Sequence, residues 1–296
     1  MNIIREVSNY VVKKLFRKYT YCIAFRMKKH HTFKVVLPTN RYSYADPFVV
    51  EYGGKTAIFV ELMDYRYGWG TIGVFTIKGR KISPVREIIR EPYHMSFPNV
   101  FEHDGELYMM PETYSAGDVH LYKCVSFPGK WEKMAPLIRG VNLVDHAVLQ
   151  KDGLTYVVSF DINIGKSRVF LLDLHKFKLE EIYPKGGFCS ERPGGTFYAI
   201  NGRIRRVIQD CHECYGDFIR IYEVGTFSTE RFEETQVKVI KTSDLPLDCR
   251  YNFEHIHQYS VSENYEVVDL FFEHFFVNKL LHVLYRKIIH KDRNFC

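Results

Sequence analysis

The sequence predicts an all-β fold, a five-bladed β-propeller with short helical extensions at both ends, and three observations carry that expectation. Four segments share one shape: an Asp- or Pro-bearing entry, an apolar strand, a glycine turn and a second apolar strand, at 46–61, 97–112, 145–160 and 192–210. The turn glycines Gly54, Gly105, Gly153 and Gly202 are spaced 51, 48 and 49 residues apart, a period that suits propeller blades. Aromatic residues make up 16% of the 296-residue chain, mostly Phe and Tyr, which favour strands.

Taken in order, residues 1–30 are expected to form a basic helical extension. Ile3, Ile4, Val7, Val11, Val12, Leu15 and Phe16 recur at helical spacing, with Lys13, Lys14, Arg17 and Lys18 mostly off that stripe. The propeller is expected over 31–275. Asp104-Gly105, Asp152-Gly153 and Asn201-Gly202 supply the positive φ that a two-residue hairpin turn requires. A weaker fifth copy spans 255–274, with Glu263-Asn264 at its turn. The alternating segments 119–125, 168–174 and 218–224 supply outer strands. A β-sandwich would not place equivalent entries at nearly one period. Residues 276–296 form a second basic, helically spaced tail.

The net charge of +6 is concentrated at the ends. Residues 1–31 carry eight Lys/Arg against Glu6 alone, and 276–296 carry five against Asp292, which leaves the body net acidic. A nucleic-acid groove through the fold is therefore excluded, because phosphate contacts need a basic face on the domain itself. The basic ends either dock on an anionic membrane surface or pack across the propeller. No run approaches the ~20 apolar residues of a membrane helix, and the first residues lack the apolar core of a signal peptide. The seven cysteines are scattered and odd in number, which reads as reduced thiols in a cytoplasmic protein, peripheral to the inner membrane face if the ends dock there.

Residues at blade entries converge on a propeller's central channel. Here the entries are Asp46-Pro47, Ser96-Phe97-Pro98, Asp145-His146, Glu191-Arg192-Pro193 and His255-Ile256-His257. Such a set of carboxylates, imidazoles and a guanidinium is costly to bury without purpose. Asp46 and Asp145 each lie eight residues before their turn glycine. Glu61 and Glu112 end the second strands of the first two blades, where they either bind sugar hydroxyls or cap solvated hairpins. His255 and His257 alternate and so should share one side of a strand. Trp69 and Tyr215 sit near glycines, as rim platforms for a sugar ring or as packing residues. Cys211-His212-Glu213-Cys214 has no second donor pair, reads as a turn, and leaves no metal site assigned. Walker-type, Gly-x-Ser-x-Gly, His-Glu-x-x-His and dinucleotide motifs are absent from the sequence.

The repeat resembles the five-bladed propeller glycosidases that cut arabinose, xylose and fructose linkages. That resemblance implies an Asp base at Asp46 (YADPFV), a second Asp at Asp145 (NLVDHAVL) and a Glu acid at Glu191 (SERPGG). Arg192 stands where that family has Gly, and it would lower the pKa of Glu191. A fifth-blade His often stands beside an axial ion or water in that family, so the resemblance admits a metal ion near His255 or His257, with no other cofactor. The strings ADPFVVEYGGKTAIFVE, SFPNVFEHDGELYMMPETYSAGDVHLYKC, SERPGGTF and VIQDCHECYGDF resemble the N-terminal propeller domain of plant glucosamine inositolphosphorylceramide transferases over about residues 20–275. The Arg-Pro of blade four is prominent in that family, which makes Arg192 a candidate fork for a carboxylate or phosphate.

These readings imply a carbohydrate-active protein of cell-surface polysaccharide or glycolipid biosynthesis. Its ligand would be a sugar, glycan or nucleotide sugar, handled by glycosyl transfer or hydrolysis. The alternatives are a non-catalytic glycan-binding module serving a separate glycosyltransferase, or a scaffold docking through its basic ends.

Overall fold

The computed structural model describes residues 16–276 together with His282 and Leu284. Its strands form five separate antiparallel sheets, the five blades of a propeller. The chain opens with β1 (Arg17–Met27) and β2 (Lys34–Val36), which are set aside for the last blade. Blade one holds β3 (Tyr42–Tyr52), β4 (Lys55–Asp64) and β5 (Gly70–Lys78), with β6 (Lys81–Ile82) and β7 (Arg86–Ile89) both pairing with β5. Blade two holds β8 (Ser96–His103), β9 (Glu106–Glu112), β10 (Asp118–Ser126) and β11 (Lys130–Arg139). Blade three follows with β12 (Leu143–Lys151), β13 (Leu154–Asp161), β14 (Lys166–Asp173) and β15 (Lys178–Ile182). Blade four has a short β16 (Tyr198–Ile200), then β17 (Arg203–Gln209), β18 (Ile219–Phe227) and β19 (Phe232–Ile240). Blade five joins β20 (Phe253–His255), β21 (Tyr259–Val261) and β22 (Tyr265–Phe275) to β1 and β2.

The hairpins follow from their turn chemistry. Tyr52 pairs with Lys55, His103 with Glu106, Lys151 with Leu154 and Ile200 with Arg203, so each inner hairpin turns through two residues. Both turn residues have positive φ in all four: Gly53-Gly54, Asp104-Gly105, Asp152-Gly153 and Asn201-Gly202. The fifth turn has no glycine and is held from outside. Glu51 of blade one accepts from the Asn264 backbone N–H and side-chain amide, each at 2.8 Å, and from the Ser262 hydroxyl.

The apolar core divides into five clusters, one between each pair of neighbouring blades. Strand β1 shows why. Its residues alternate, Cys22 and Ala24 packing against blade four and Ile23 and Phe25 against blade one, so both faces are buried. β1 pairs with β22 in unbroken register from Arg17↔Phe275 to Met27↔Tyr265, and the ring closes by joining the first and last described strands in one blade. The boundary expected after residue 30 is thereby corrected. Residues 17–27 are a strand of the propeller, because their period is two and both faces find apolar partners. Of the helices expected over 2–18 and 277–291, Arg17 and Lys18 belong to β1, and the rest, apart from Phe16, His282 and Leu284, lies outside the described residues.

Ring closure through β1 sets an expected outcome. Ile23→Ala should cost about 2–5 kcal/mol in urea denaturation, as for other large-to-small changes at buried sites. A chain starting at residue 28 should lose its cooperative melt altogether. An unchanged melt in that truncation would refute closure by β1.

Candidate functional site

The first three blades carry the same irregularity where their inner strands near the axis. Pairing shifts between Ala45 and Phe48, between Ser96 and Asn99, and between Val144 and Ala147, so two residues oppose one. The first residue of each bulge has positive φ: Asp46 at 49°, Phe97 at 45° and Asp145 at 51°. All three lie eight residues before the turn glycine. A bulge re-aims a side chain relative to the flat strand, and left-handed backbone at an aspartate is held by surrounding contacts. Those contacts are the site.

Asp46 is 5% exposed, His257 4% and Asp269 0%. His257 Nε2 lies 3.1 Å from Asp46 Oδ1 and Nδ1 lies 2.7 Å from Asp269 Oδ2, so the imidazole bridges two carboxylates. Asp269 also accepts the backbone N–H groups of His257, Gln258 and Asp46 at 2.9–3.2 Å. Asp46 Oδ2 accepts the Phe97 N–H at 3.0 Å. Burial pushes His257 toward neutrality, but the Asp269 carboxylate and the facing tyrosines outweigh it, and its pKa ends well above the ordinary value. Burial would raise Asp46 too. The hydrogen bond and charge of His257, the Phe97 N–H and Arg192 reverse that and hold it below the usual range.

On the other side of the axis Asp145, 3% exposed, accepts from Arg192 Nε and from Gln209 Nε2 at 3.0 Å. The same guanidinium reaches Glu112 at 3.7 Å and lies 5.2 Å from the ring centroid of Tyr215. Tyr215 is 50% exposed, and its ring centroid is 5.4 Å from that of His257. Burial raises Asp145 against the opposing pull of Arg192, and raises Glu112 strongly, with Asp145 adding to it.

Glu61, directly across the strand pair from Ala45, is pushed up to about 8, first by burial and then by the neighbouring Asp46 charge. It borders a cavity of about 320 Å³ between blades five and one, lined among others by Lys18, Tyr19, Tyr21, Met63, Tyr65 and Phe271. Aromatic rings run from the surface inward along it. Tyr19 stacks on Phe271 at 5.5 Å, Phe271 meets Tyr21 at 4.8 Å, and Tyr21 meets His257 at 4.6 Å. This cavity is lined by residues of blades five and one, without Arg192 or its partners Asp145, Gln209 and Glu112.

The structure brings Asp46, Glu61, Glu112, Asp145, Arg192, Tyr215 and His257 together, and leaves the other candidates elsewhere. Glu191 pairs with Arg220 and lies 3.4 Å from His212, on the side of Asp210 and away from the Arg192–Asp145 pair. The backbone turns between Glu191 and Arg192, so only the second of the two reaches Asp145. His146 is fully buried, its Nδ1 2.8 Å from Ser159 Oγ, and burial drops its pKa to about 3. Ser96 is buried opposite Glu112 in the strand pair. Trp69 packs half-buried beside Tyr67 at 5.4 Å. His255 and His257 do not share a group. β20 ends at His255 and pairing with β22 resumes only at Tyr259, so His257 lies in the break, and His255 faces Cys214 and Asp217 instead.

Gln209, Asp269, Tyr19, Tyr21 and Phe271 were not singled out from sequence. A signal existed for Gln209, which lies seven residues after Gly202 as Glu61 and Glu112 lie seven after Gly54 and Gly105. At His257, one of the two places where the glycosidase resemblance admits an ion, both ring nitrogens face carboxylates, Asp46 at 3.1 Å and Asp269 at 2.7 Å.

Comparison with known proteins places the chain in a family. A family model described as glucosamine inositolphosphorylceramide transferase 1, N-terminal, matches residues 32–264. The glucosamine inositolphosphorylceramide transferase 1 of Arabidopsis thaliana is 32% identical over 214 residues, covering 68% of this chain and 28% of that protein. The protein of the same name from Oryza sativa subsp. indica is 28% identical over 208 residues, covering 66% and 28%. The chain therefore spans just over a quarter of the length of these relatives. Among solved structures, an α-L-arabinofuranosidase from Podospora anserina in complex with cellotriose superposes with a TM-score of 0.58 at 10% identity, covering 78% of this chain and 91% of that one. A xyloglucan-locus family-43 protein of Bacteroides ovatus gives 0.57 at 17% identity, covering 79% and 52%. At such identities the likeness is one of fold. The fold is that of the five-bladed propeller hydrolases, and the chain belongs to the family of the glucosamine inositolphosphorylceramide transferase 1 N-terminal domain.

Proposed function

We propose that this carbohydrate-active propeller carries out glycosyl chemistry, transfer or hydrolysis, at the mouth of its axis during assembly of a surface polysaccharide or glycolipid. The observation that supports this most is a pair of adjacent carboxyl groups driven to opposite protonation states. Asp46 is held ionised, and Glu61 beside it is held protonated to about pH 8. Divergent environments of that kind mark an acid and a base in one site. The aromatic run of Tyr19, Phe271 and Tyr21 offers a platform for a sugar ring at the protonated carboxyl.

In this reading the attacking hydroxyl gives its proton to Asp46 as its oxygen bonds to the anomeric carbon. Glu61 gives its proton to the oxygen that leaves that carbon, and both carboxyls exchange protons with solvent afterwards. Glu61 takes the role first expected of Glu191. The relatives' name, which joins a sugar, a lipid and a transfer, supports a sugar-lipid or glycan substrate. The basic segment before β1 fits docking on an anionic, cytoplasmic membrane face.

One observation favours a second reading, a binding module serving a separate glycosyltransferase. Asp145 is paired with Arg192, which places a guanidinium beneath a half-exposed tyrosine. That reading expects binding without turnover, weakened more by Arg192→Ala than by Asp46→Asn.

The enzyme reading is tested on the full chain with a panel of nucleotide sugars and aryl glycosides, following released sugar by mass spectrometry. Asp46→Asn and Glu61→Gln should each lower kcat by about 10²–10⁴-fold with the fold intact, while Glu191→Gln stays within about threefold of the parent. Equal turnover in Asp46→Asn would remove the assigned base. Because the Glu61 pKa is raised, its protonated form is populated below about pH 8 and lost above it. The rate should therefore fall on the alkaline side of a midpoint near 8, read from the pH profile of kcat/KM. Removing residues 1–15, which leaves β1 whole, should release the protein from anionic vesicles in co-sedimentation, and undiminished binding would refute membrane docking by this segment.

A further inference from the structure

The loop between β17 and β18 is closed at its base by two backbone hydrogen bonds, Asp210 N–H to Phe218 O at 2.8 Å and Asp217 N–H to Asp210 O at 2.9 Å. Its tip leans on blade five. Gly216 (φ 64°) packs so tightly there that a Cβ would come within 2.3 Å of His257 Cβ, so only glycine fits. This close approach carries Cys214 and Asp217 to His255. Cys214 Sγ lies 3.6 Å from His255 Nδ1 and 3.9 Å from Nε2, and Nδ1 lies 3.3 Å from Asp217 Oδ1. Thiol, imidazole and carboxylate thus meet within one ion's reach, all partly buried.

Those spacings match a known geometry. Zinc sits about 2.3 Å from a thiolate sulfur and about 2.0–2.1 Å from an imidazole nitrogen or a carboxylate oxygen. At tetrahedral angles this separates sulfur from nitrogen by about 3.6 Å and nitrogen from oxygen by about 3.3 Å. The charges also balance, since a thiolate and a carboxylate together neutralise a divalent cation. Without a cation the Cys214 thiol is held protonated, by burial first and then by the Asp217 charge.

We propose that Cys214, Asp217 and His255 form a zinc-type site on the rim of the axis, with three protein ligands and a fourth position open to water. Binding forms the metal–sulfur bond as the thiol proton leaves to solvent. The ion ties the loop tip to blade five and so fixes Tyr215, the residue after Cys214, over Arg192 and His257. This site is separate from the His257 bridge and uses only one cysteine of the Cys211–Cys214 pair. The sequence pattern did not show it, because two of its three ligands lie outside that motif.

The probe is Co²⁺ added to the chelator-treated full chain, with Zn²⁺ as competitor. One equivalent of cobalt should give a tetrahedral visible spectrum with the charge-transfer band of a single thiolate, and zinc should bleach it. Cys214→Ser should abolish that band, and His255→Ala should weaken cobalt binding at least about 100-fold. Cys211→Ser should keep both band and affinity. The zinc-dependent rise in melting temperature should disappear in Cys214→Ser while the metal-free melt of that variant matches the parent. A parent protein with no band overturns the proposal, as does a band that survives Cys214→Ser or is lost in Cys211→Ser.

Discussion

His257 stands between Asp269 and Asp46, and the rest of the site depends on that bridge. The imidazole joins the last blade to the first. Its positive charge helps keep the buried Asp46 ionised, and the ionised Asp46 adds to the burial that raises Glu61, against the direct lowering pull of His257. One contact therefore sets geometry and protonation together. The cost of burying charge is offset by pairing and by backbone N–H donors, as buried ions require. Asp269, fully buried, accepts three such donors besides the imidazole.

The inner bulges make this possible. A flat strand would send Asp46 and Asp145 along the alternation of their neighbours, into the inter-blade cores that hold Phe48 and Ala147. The extra residue in each bulge, with its left-handed backbone, turns the carboxyl toward the axis instead. Blade two has the same bulge with Phe97 in that place, and contributes its backbone N–H to Asp46 rather than a charge. Blade four breaks the pattern. Its Arg-Pro-Gly-Gly entry runs so close to blade five that a Cβ on Gly195 would lie 2.2 Å from Tyr259 O, and the long side chain of Arg192 supplies what a bulge supplies elsewhere.

Much of this was legible in the sequence, for identifiable reasons. The hairpins announced themselves through Asp-Gly and Asn-Gly turns at one period, and both axial aspartates through a shared offset from those glycines. Strand β1 was hidden because the helical stripe that ends at Phe16 was carried on to residue 30, and a strand buried on both faces and interrupted by Lys18 and Arg26 shows no clean alternation. The break in pairing between His255 and Tyr259, which parts His255 from His257, leaves no mark in composition. Nor could the sequence tell that Glu191 turns toward Arg220 while Arg192 reaches the axis, since the choice is made by the backbone between them.

The central claim is that Glu61 carries a proton at neutral pH because it shares a buried site with an ionised Asp46. It is tested most directly by a carbon-13 NMR titration of the Glu61 carboxyl in the parent protein and in Asp46→Asn. The expected result is a midpoint near 8 in the parent and a lower one in the variant, where burial and the charges of His257, Asp269 and Asp145 remain but that of Asp46 is gone. A parent midpoint in the ordinary glutamate range, about 4.3, would contradict the account.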